Sequence, residues 1–294
     1  MEGSWQLSGR WVVITGATGG IGLAALRALA QSGAKLAIVG RDPARLERTA
    51  AELRERGARA VATFAADLTL LAEVRRLAAE LQRELDDLAV LVNNAGAIYS
   101  RYALTPEGFE RTWALNHLAP FLLTNLLLAK LASCAPAKVI ATASDAHRGA
   151  RLDLAAPDSP ERFGFAGFAR YAQTKLANIL FTLELAQRLA DREVGAYCFH
   201  PGFVATGFNR NNGPLAALAM TLARPFARSP QEGARTLVWL VRTPPAELVS
   251  GAYYADCRIA KPSAAGQDLQ LARELWERSA AQVGLSPQAA GPSR

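Results

Sequence analysis

Tyr171 and Lys175 stand four positions apart in the stretch YAQTK. On a helix that spacing puts a phenol and an ammonium one turn apart on one face. A free phenol ionises near about 10, so acid–base work near neutrality calls for a reduction of roughly 2 to 3 units, or about 3 to 4 kcal/mol of preference for the phenolate. A neighbouring cation favours the phenolate by charge. By itself the pair is what many helices carry, an exposed lysine beside a half-buried tyrosine. Its weight comes from the company it keeps: a glycine loop near the start of the chain, an NNAG turn at 93–96, and Ser144 at the expected end of a strand.

These residues need a scaffold to bring them together. Short β-branched or apolar runs at 11–15, 35–40, 60–67, 88–94, 138–144, 194–200 and 251–256 alternate with helix-like spacing such as Val74, Leu77, Leu81, Leu85 and Leu88. That alternation predicts parallel strands joined by helical crossovers, and continuous apolar strands predict burial on both faces. The expected fold class is α/β: a doubly wound, Rossmann-type sheet of seven mainly parallel strands with helices on both faces. No internal repeat or Pro/Gly-rich interior linker interrupts residues 1–294, so one domain is expected, with 1–9 and 286–294 flexible.

The segment TGATGGIG follows the first strand directly and opens a helical pattern, placing Gly16, Gly20 and Gly22 at the turn. Glycines there allow a tight turn and close backbone approach to a pyrophosphate, while the N–H groups at the helix start face the anion. A plain strand-to-helix turn would also use glycine, but its position favours a dinucleotide. The second strand ends in Arg41 where an NAD site commonly carries an acid, and arginine there suits a 2′-phosphate. Asp42, before Pro43, reads as the cap of the next helix. The cofactor expected is therefore NADP(H) rather than NAD(H).

Composition removes other classes. The chain of 294 residues is 50% hydrophobic and 20% charged, and no apolar run is read as approaching the roughly 18 residues of a membrane span. The net charge of +7 comes from arginines interleaved with glutamates along helices, a solvated face with no nucleic-acid module signature. Cys134, Cys198 and Cys257 are too scattered for a disulfide framework or a CxxC metal motif. The opening MEGSWQLSGR lacks the basic and apolar regions of a signal peptide, so a cytoplasmic location is expected.

With TGATGGIG, Asp67-Leu68, NNAG, Asn116, Ser144, Tyr171, Lys175 and the HPG at 200–202 in order, the chain resembles the short-chain dehydrogenases/reductases from Trp11 to about Leu285. The stretches LNHLAPFLLTNLLL, YAQTKLANILFTLELAQRL, HPGFVATGF and VSGAYYADC resemble the branch of retinol dehydrogenases and WW-domain-containing oxidoreductases. The resemblance implies a catalytic set of Asn116, Ser144, Tyr171 and Lys175. It places Asp67 near the adenine, Asn93 and Ala95 along the cofactor groove, and Pro201, Gly202 and Thr206 at the nicotinamide end. Thr15, Ile21, Leu68, Gly96 and Val204 join that cofactor site, with Tyr171 and Lys175. It also implies a homodimer or homotetramer. Helices at 105–132 and 169–191 could form a shared bundle, although packing within one chain would give the same pattern.

Interconverting an alcohol and a carbonyl moves a hydride, which a nicotinamide carries, and a proton, which the protein must handle. Tyr171 is the expected general acid/base, Lys175 its cation and the holder of the cofactor ribose, and Ser144 a hydrogen-bonding partner of the substrate oxygen. Asn116 would kink its helix or bind a water leading to Lys175. The histidines are His117, His147 and His200, and no GxSxG elbow surrounds Ser144, which argues against a serine hydrolase. The segment 203–230 reads as a lid, and Phe163, Phe165 and Phe168 add aromatic surface, together suggesting a hydrophobic substrate that is retinoid-, steroid- or fatty-carbonyl-like. Two alternatives stand beside this: a non-catalytic NADP-binding regulator, which would not need Tyr171 and Lys175, and a light-dependent pigment reductase.

Overall fold

The computed structural model describes residues 5–155, 159–204 and 227–286. Strands and helices alternate: β1 (Trp11–Thr15), α1 (Gly20–Leu29), β2 (Lys35–Gly40), α2 (Pro43–Glu55), β3 (Ala60–Ala65), α3 (Leu71–Glu84) and β4 (Leu88–Asn93). Next come α4 (Arg111–Trp113), a π turn (Ala114–Leu118), α5 (Ala119–Ser133), β5 (Ala137–Thr142), α6 (Phe168–Arg188) and β6 (Val194–His200). The chain closes with α7 (Pro230–Arg242), β7 (Tyr253–Ala255), β8 (Arg258–Ile259) and α8 (Leu269–Gln282).

The strands form one sheet in the order β3-β2-β1-β4-β5-β6-β7-β8, parallel from β3 to β7. The order reverses beside β1, so the carboxyl ends of β1 and β4 flank the crevice where open α/β sheets bind ligands. Side chains alternate across the sheet. Val13, Ala37, Leu91 and Val139 pack under α3, α5, α6 and α8, while Val12, Ile14, Leu36, Ile38 and Ile140 pack under α1, α2 and α7.

Two sequence expectations need correction. The described residues hold eight strands, not seven, because Arg258–Ile259 returns antiparallel to β7. Its two exposed residues are too short to show any periodicity, and the turn is made by Asp256 and Cys257 at φ 49° and 59°. Secondly, Arg111–Ser133 is long and apolar enough to cross a membrane by length and composition, although 78% of its apolar window is buried in the fold. It serves here as a core helix.

The helix read at 105–132 begins later, because Gly108 turns at φ 86° and the Glu110 carboxylate accepts from the N–H groups of Thr112 and Trp113, each at 2.9 Å. Asp42 caps α2 as expected, accepting from the Arg45 N–H at 3.1 Å.

The apolar face of α6 is covered from within the chain. Trp276 of α8 stacks on Phe181 at 5.8 Å and meets Phe121 edge-on at 4.8 Å, with 2% of its surface exposed. Truncating a fully packed aromatic removes its transfer energy and leaves a cavity. Trp276→Ala is expected to lower unfolding stability by about 3 to 5 kcal/mol, measured by urea denaturation; a loss under about 1 kcal/mol would show that α8 is not part of the core.

Candidate active site

The crevice begins at the glycine loop. Gly16 has φ 68°, and a Cβ on it would lie 2.9 Å from the Ala95 Cα. A Cβ on Gly22 would lie 2.5 Å from the Gly16 carbonyl oxygen, so α1 can start only where that side chain is missing. The loop is stitched to β4 by Thr15, whose hydroxyl accepts from the N–H groups of Asn94 and Ala95, each at 3.0 Å. The Asn94 amide donates to the Thr15 carbonyl at 2.9 Å. Asn94 is a bracing residue that the sequence did not single out. Asn93, expected along the groove, is buried, and its side chain turns away to donate to the Thr124 hydroxyl of α5 at 2.9 Å.

No side chain caps α1 at Gly19, which leaves its first N–H groups directed out of the loop. Arg41 stands exposed directly after β2. Four residues on, in the first turn of α2, Arg45 donates to the Thr18 carbonyl at 2.8 Å, which brings its guanidinium to the rim of the glycine loop. Sequence reasoning missed Arg45, which lies in the first turn of α2 just after Arg41 and the Asp42 cap. Asp67 lies after β3 and accepts from the Thr69 N–H and hydroxyl at 3.0 and 2.8 Å, and Leu68 beside it is buried.

Across the crevice, Pro201 is buried and Gly202 turns at φ 83°. Val204 and Ile21 approach each other over Gly233, where a Cβ would meet Val204 Cγ2 at 2.5 Å and Ile21 Cγ1 at 3.4 Å. Thr206 and most of the expected 203–230 lid lie outside the described residues.

The catalytic candidates converge where β4, β5 and α6 meet. The Tyr171 hydroxyl hydrogen-bonds the Ser144 side chain. The Lys175 ammonium lies 5.4 Å from the Tyr171 ring centroid and donates to the Thr142 carbonyl at 2.9 Å. Ser144 sits two residues beyond the end of β5 and caps a short 3₁₀ turn, Asp145–Gly149. Gly96 faces this group, and a Cβ on it would lie 3.2 Å from Asn116 Oδ1 and 3.7 Å from Lys175 Nζ.

Asn116 lies in the π turn, the irregularity the sequence had suggested as a kink. Its side chain is fully engaged with Ala97, accepting from its N–H and donating to its carbonyl at 2.9 Å each, and it donates to the Thr174 hydroxyl at 3.1 Å. That hydroxyl donates to the Tyr171 carbonyl at 2.7 Å, so Asn116 reaches the catalytic helix through Thr174.

The electrostatics differ from the expectation that Lys175 brings the phenol down. Burial pushes Tyr171 up to about 12, with the Ser144 hydrogen bond working in the opposite direction. Burial also pushes Lys175 down to about 8. Burial penalises both ions, and the ammonium sits beside the phenol ring. Of the aromatic residues expected around a substrate, Phe163 is buried edge-on against Tyr102 at 5.6 Å. Phe165 is 95% exposed, and Phe168 is 57% exposed with its ring 6.3 Å from that of Tyr171. No group of three or more His, Cys, Asp or Glu side chains suited to a metal occurs among the described residues.

A glycine cradle that admits no Cβ, a strand-end serine and a tyrosine–lysine pair on one helix thus border one crevice, an arrangement that suits an oxidoreductase. Residues 10–156 match the family described as short chain dehydrogenase, and the chain belongs to that family. It is 41% identical to a candidate daunorubicin C-13 ketoreductase of Streptomyces sp. (strain C5), over 95% of this chain and 94% of that protein. It is 38% identical to human retinol dehydrogenase 11, over 95% of this chain and 87% of that one. Among solved structures, the Pseudomonas aeruginosa RhlG/NADP active-site complex superposes with a TM-score of 0.67 at 27% identity, covering 86% of this chain and 96% of that chain. Such relatives make the chain an oxidoreductase that interconverts an alcohol and a carbonyl.

Proposed function

We propose that the protein is an NADP(H)-dependent oxidoreductase acting on hydrophobic alcohols and carbonyl compounds, with Tyr171 as the general acid/base. The observation that carries this reading is the Tyr171 hydroxyl joined to Ser144 with the Lys175 ammonium beside the same ring. Ser144 and Tyr171 form a two-donor site for one substrate oxygen: the serine orients it and the phenol gives or takes its proton. A phenol held near 12 stays protonated across the working range, which suits the acid of a carbonyl reduction. Lys175, charged below about 8, favours the phenolate that proton transfer leaves behind.

The residues that would hold the dinucleotide have the chemistry it needs. The loop from Thr15 to Gly22 and the open start of α1 offer N–H groups to a pyrophosphate, and Arg41 with Arg45 offers two guanidiniums to a 2′-phosphate. Lys175 would hold ribose hydroxyls. When bound, the nicotinamide supplies or accepts the hydride. That RhlG was solved with NADP supports the choice of dinucleotide.

The exposed Phe168 beside Tyr171 and the exposed Phe165 three residues before Phe168 support an apolar substrate, as do relatives named as retinol dehydrogenase and daunorubicin C-13 ketoreductase. A panel of retinoid, steroid and fatty carbonyl compounds, polar sugars and keto acids, followed by NADPH absorbance, tests this. Turnover is expected for the hydrophobic carbonyls; turnover confined to the sugars or keto acids overturns the substrate class.

A further inference from the structure

Two histidines outside the catalytic set grip a single peptide group, the one joining Ser144 to Asp145. On one side the His147 Nδ1 lies 2.7 Å from the Ser144 carbonyl oxygen. The other nitrogen of that ring, Nε2, accepts from the Ser263 N–H at 3.0 Å, so the ring proton is on Nδ1 and is donated to Ser144. On the other side the Asp145 N–H donates to His200 Nδ1 at 3.2 Å. The proton of His200 is therefore on Nε2, which faces the Asp145 carboxylate at 3.3 Å. That carboxylate also accepts from the Tyr253 hydroxyl at 3.0 Å.

The two rings come from different elements. His147 is fully buried in the turn after β5, whereas His200 ends β6 immediately before Pro201 and Gly202. The peptide that carries Ser144 is thus tied to the loop at the far side of the crevice and to the segment before α8.

We propose that His147 and His200 are positioning residues for Ser144, holding the Ser144–Asp145 peptide between two neutral imidazoles of opposite tautomer so that the serine hydroxyl stays directed at Tyr171. The proposal rests on the reading of Ser144 and Tyr171 given above. Its physical content is that each ring must use one nitrogen as an acceptor. A proton on His200 Nδ1 would face the Asp145 N–H donor to donor, and a proton on His147 Nε2 would do the same to Ser263. The first event releases the Asp145 N–H and lets the serine hydroxyl turn; the second loosens only the anchorage of His147 on Ser263, because Nδ1 still donates to the Ser144 carbonyl.

The surroundings keep both rings neutral. Burial holds His200 below the ordinary imidazole value, assisted by Arg228 and His147 and opposed by the carboxylates of Asp145 and Asp256. Burial likewise lowers His147, with the Ser144 carbonyl and Asp145 opposing and Arg148 assisting. Both shifts are downward, so the clamp is intact at neutral pH and opens only as the pH falls below about 6.5.

The test uses the full chain with NADPH and a hydrophobic ketone that it reduces. His200→Leu removes the acceptor for the Asp145 N–H, and His200→Asn offers a side-chain oxygen that accepts the same bond and cannot titrate. His200→Leu is expected to lower kcat by about 10- to 100-fold, with NADPH affinity by fluorescence titration within about threefold of wild type. His200→Asn is expected to restore kcat to within about threefold of wild type and to weaken the fall in kcat that wild type shows as the pH drops below about 6.5. An unchanged acid limb in His200→Asn, full kcat in His200→Leu, or a wild type with no acid limb below about pH 6.5 each overturns the clamp. If His200→Leu does not fold, the His200→Asn profile decides alone. Failure of the clamp is separable from failure of the catalytic reading, because Tyr171→Phe tests the latter independently.

Discussion

Tyr171→Phe is expected to reduce kcat for carbonyl reduction by between about 100- and 10,000-fold, the range that loss of a positioned general acid costs. The substitution removes one oxygen and keeps the ring that packs 6.3 Å from Phe168, so the fold and the dinucleotide site should survive. NADPH affinity should stay within about threefold, because the glycine loop and the two arginines make no use of the phenol. Retention of wild-type kcat with normal NADPH binding would falsify the proton-transfer role of Tyr171 and require another group to supply the proton. The same site predicts a pH dependence. With Tyr171 raised to about 12 and Lys175 lowered to about 8, the phenol stays protonated while the ammonium loses its charge as the pH rises through about 8. In kcat/KM, which reports free enzyme and free substrate, a basic limb near 8 is therefore expected in the wild type. Replacing Lys175 with Met should remove that limb together with most of the activity, whereas a limb that persists would have to come from another group.

The second large effect concerns the dinucleotide. Charge-assisted hydrogen bonds are each worth about 1.5 to 3 kcal/mol, so removing two guanidiniums from a 2′-phosphate should cost roughly 100- to 10,000-fold in affinity. The Arg41→Ala/Arg45→Ala double variant is accordingly expected to lose at least about 100-fold in NADPH affinity and less than about fivefold for NADH, which lacks that phosphate. Titrating both dinucleotides against both proteins checks this, and equal weakening would remove the 2′-phosphate assignment. The single variants divide the contribution. Arg45 also donates to the Thr18 carbonyl, so its loss should disturb NADH slightly, whereas that of Arg41 should not.

Much of this was legible along the chain because it depends on local pattern. Buried parallel strands announce themselves as apolar runs, and β1, β2 and β6 run between the residues that the runs marked. Gly16 and Gly22 were readable because the backbone geometry that needs them follows directly on a strand. Tyr171 and Lys175 were readable because a helix turns four residues into neighbours, and α6 does so.

What the order of residues could not show is which distant groups share a boundary. Thr142, Ser144, Asn116 and Gly96 meet Lys175 and Tyr171 only because β4, β5 and α6 are packed side by side. The direction of the electrostatics was decided there too: adjacency of phenol and ammonium predicts a lowered phenol, but burial by the surrounding elements raises the phenol against the Ser144 hydrogen bond and lowers the ammonium. The paired histidines around the Ser144–Asp145 peptide lie 53 positions apart in the chain. Local periodicity reports which face of an element is buried; the energy of a charge or a hydrogen bond in a crevice depends on everything packed around it, and that exists only once the chain has folded.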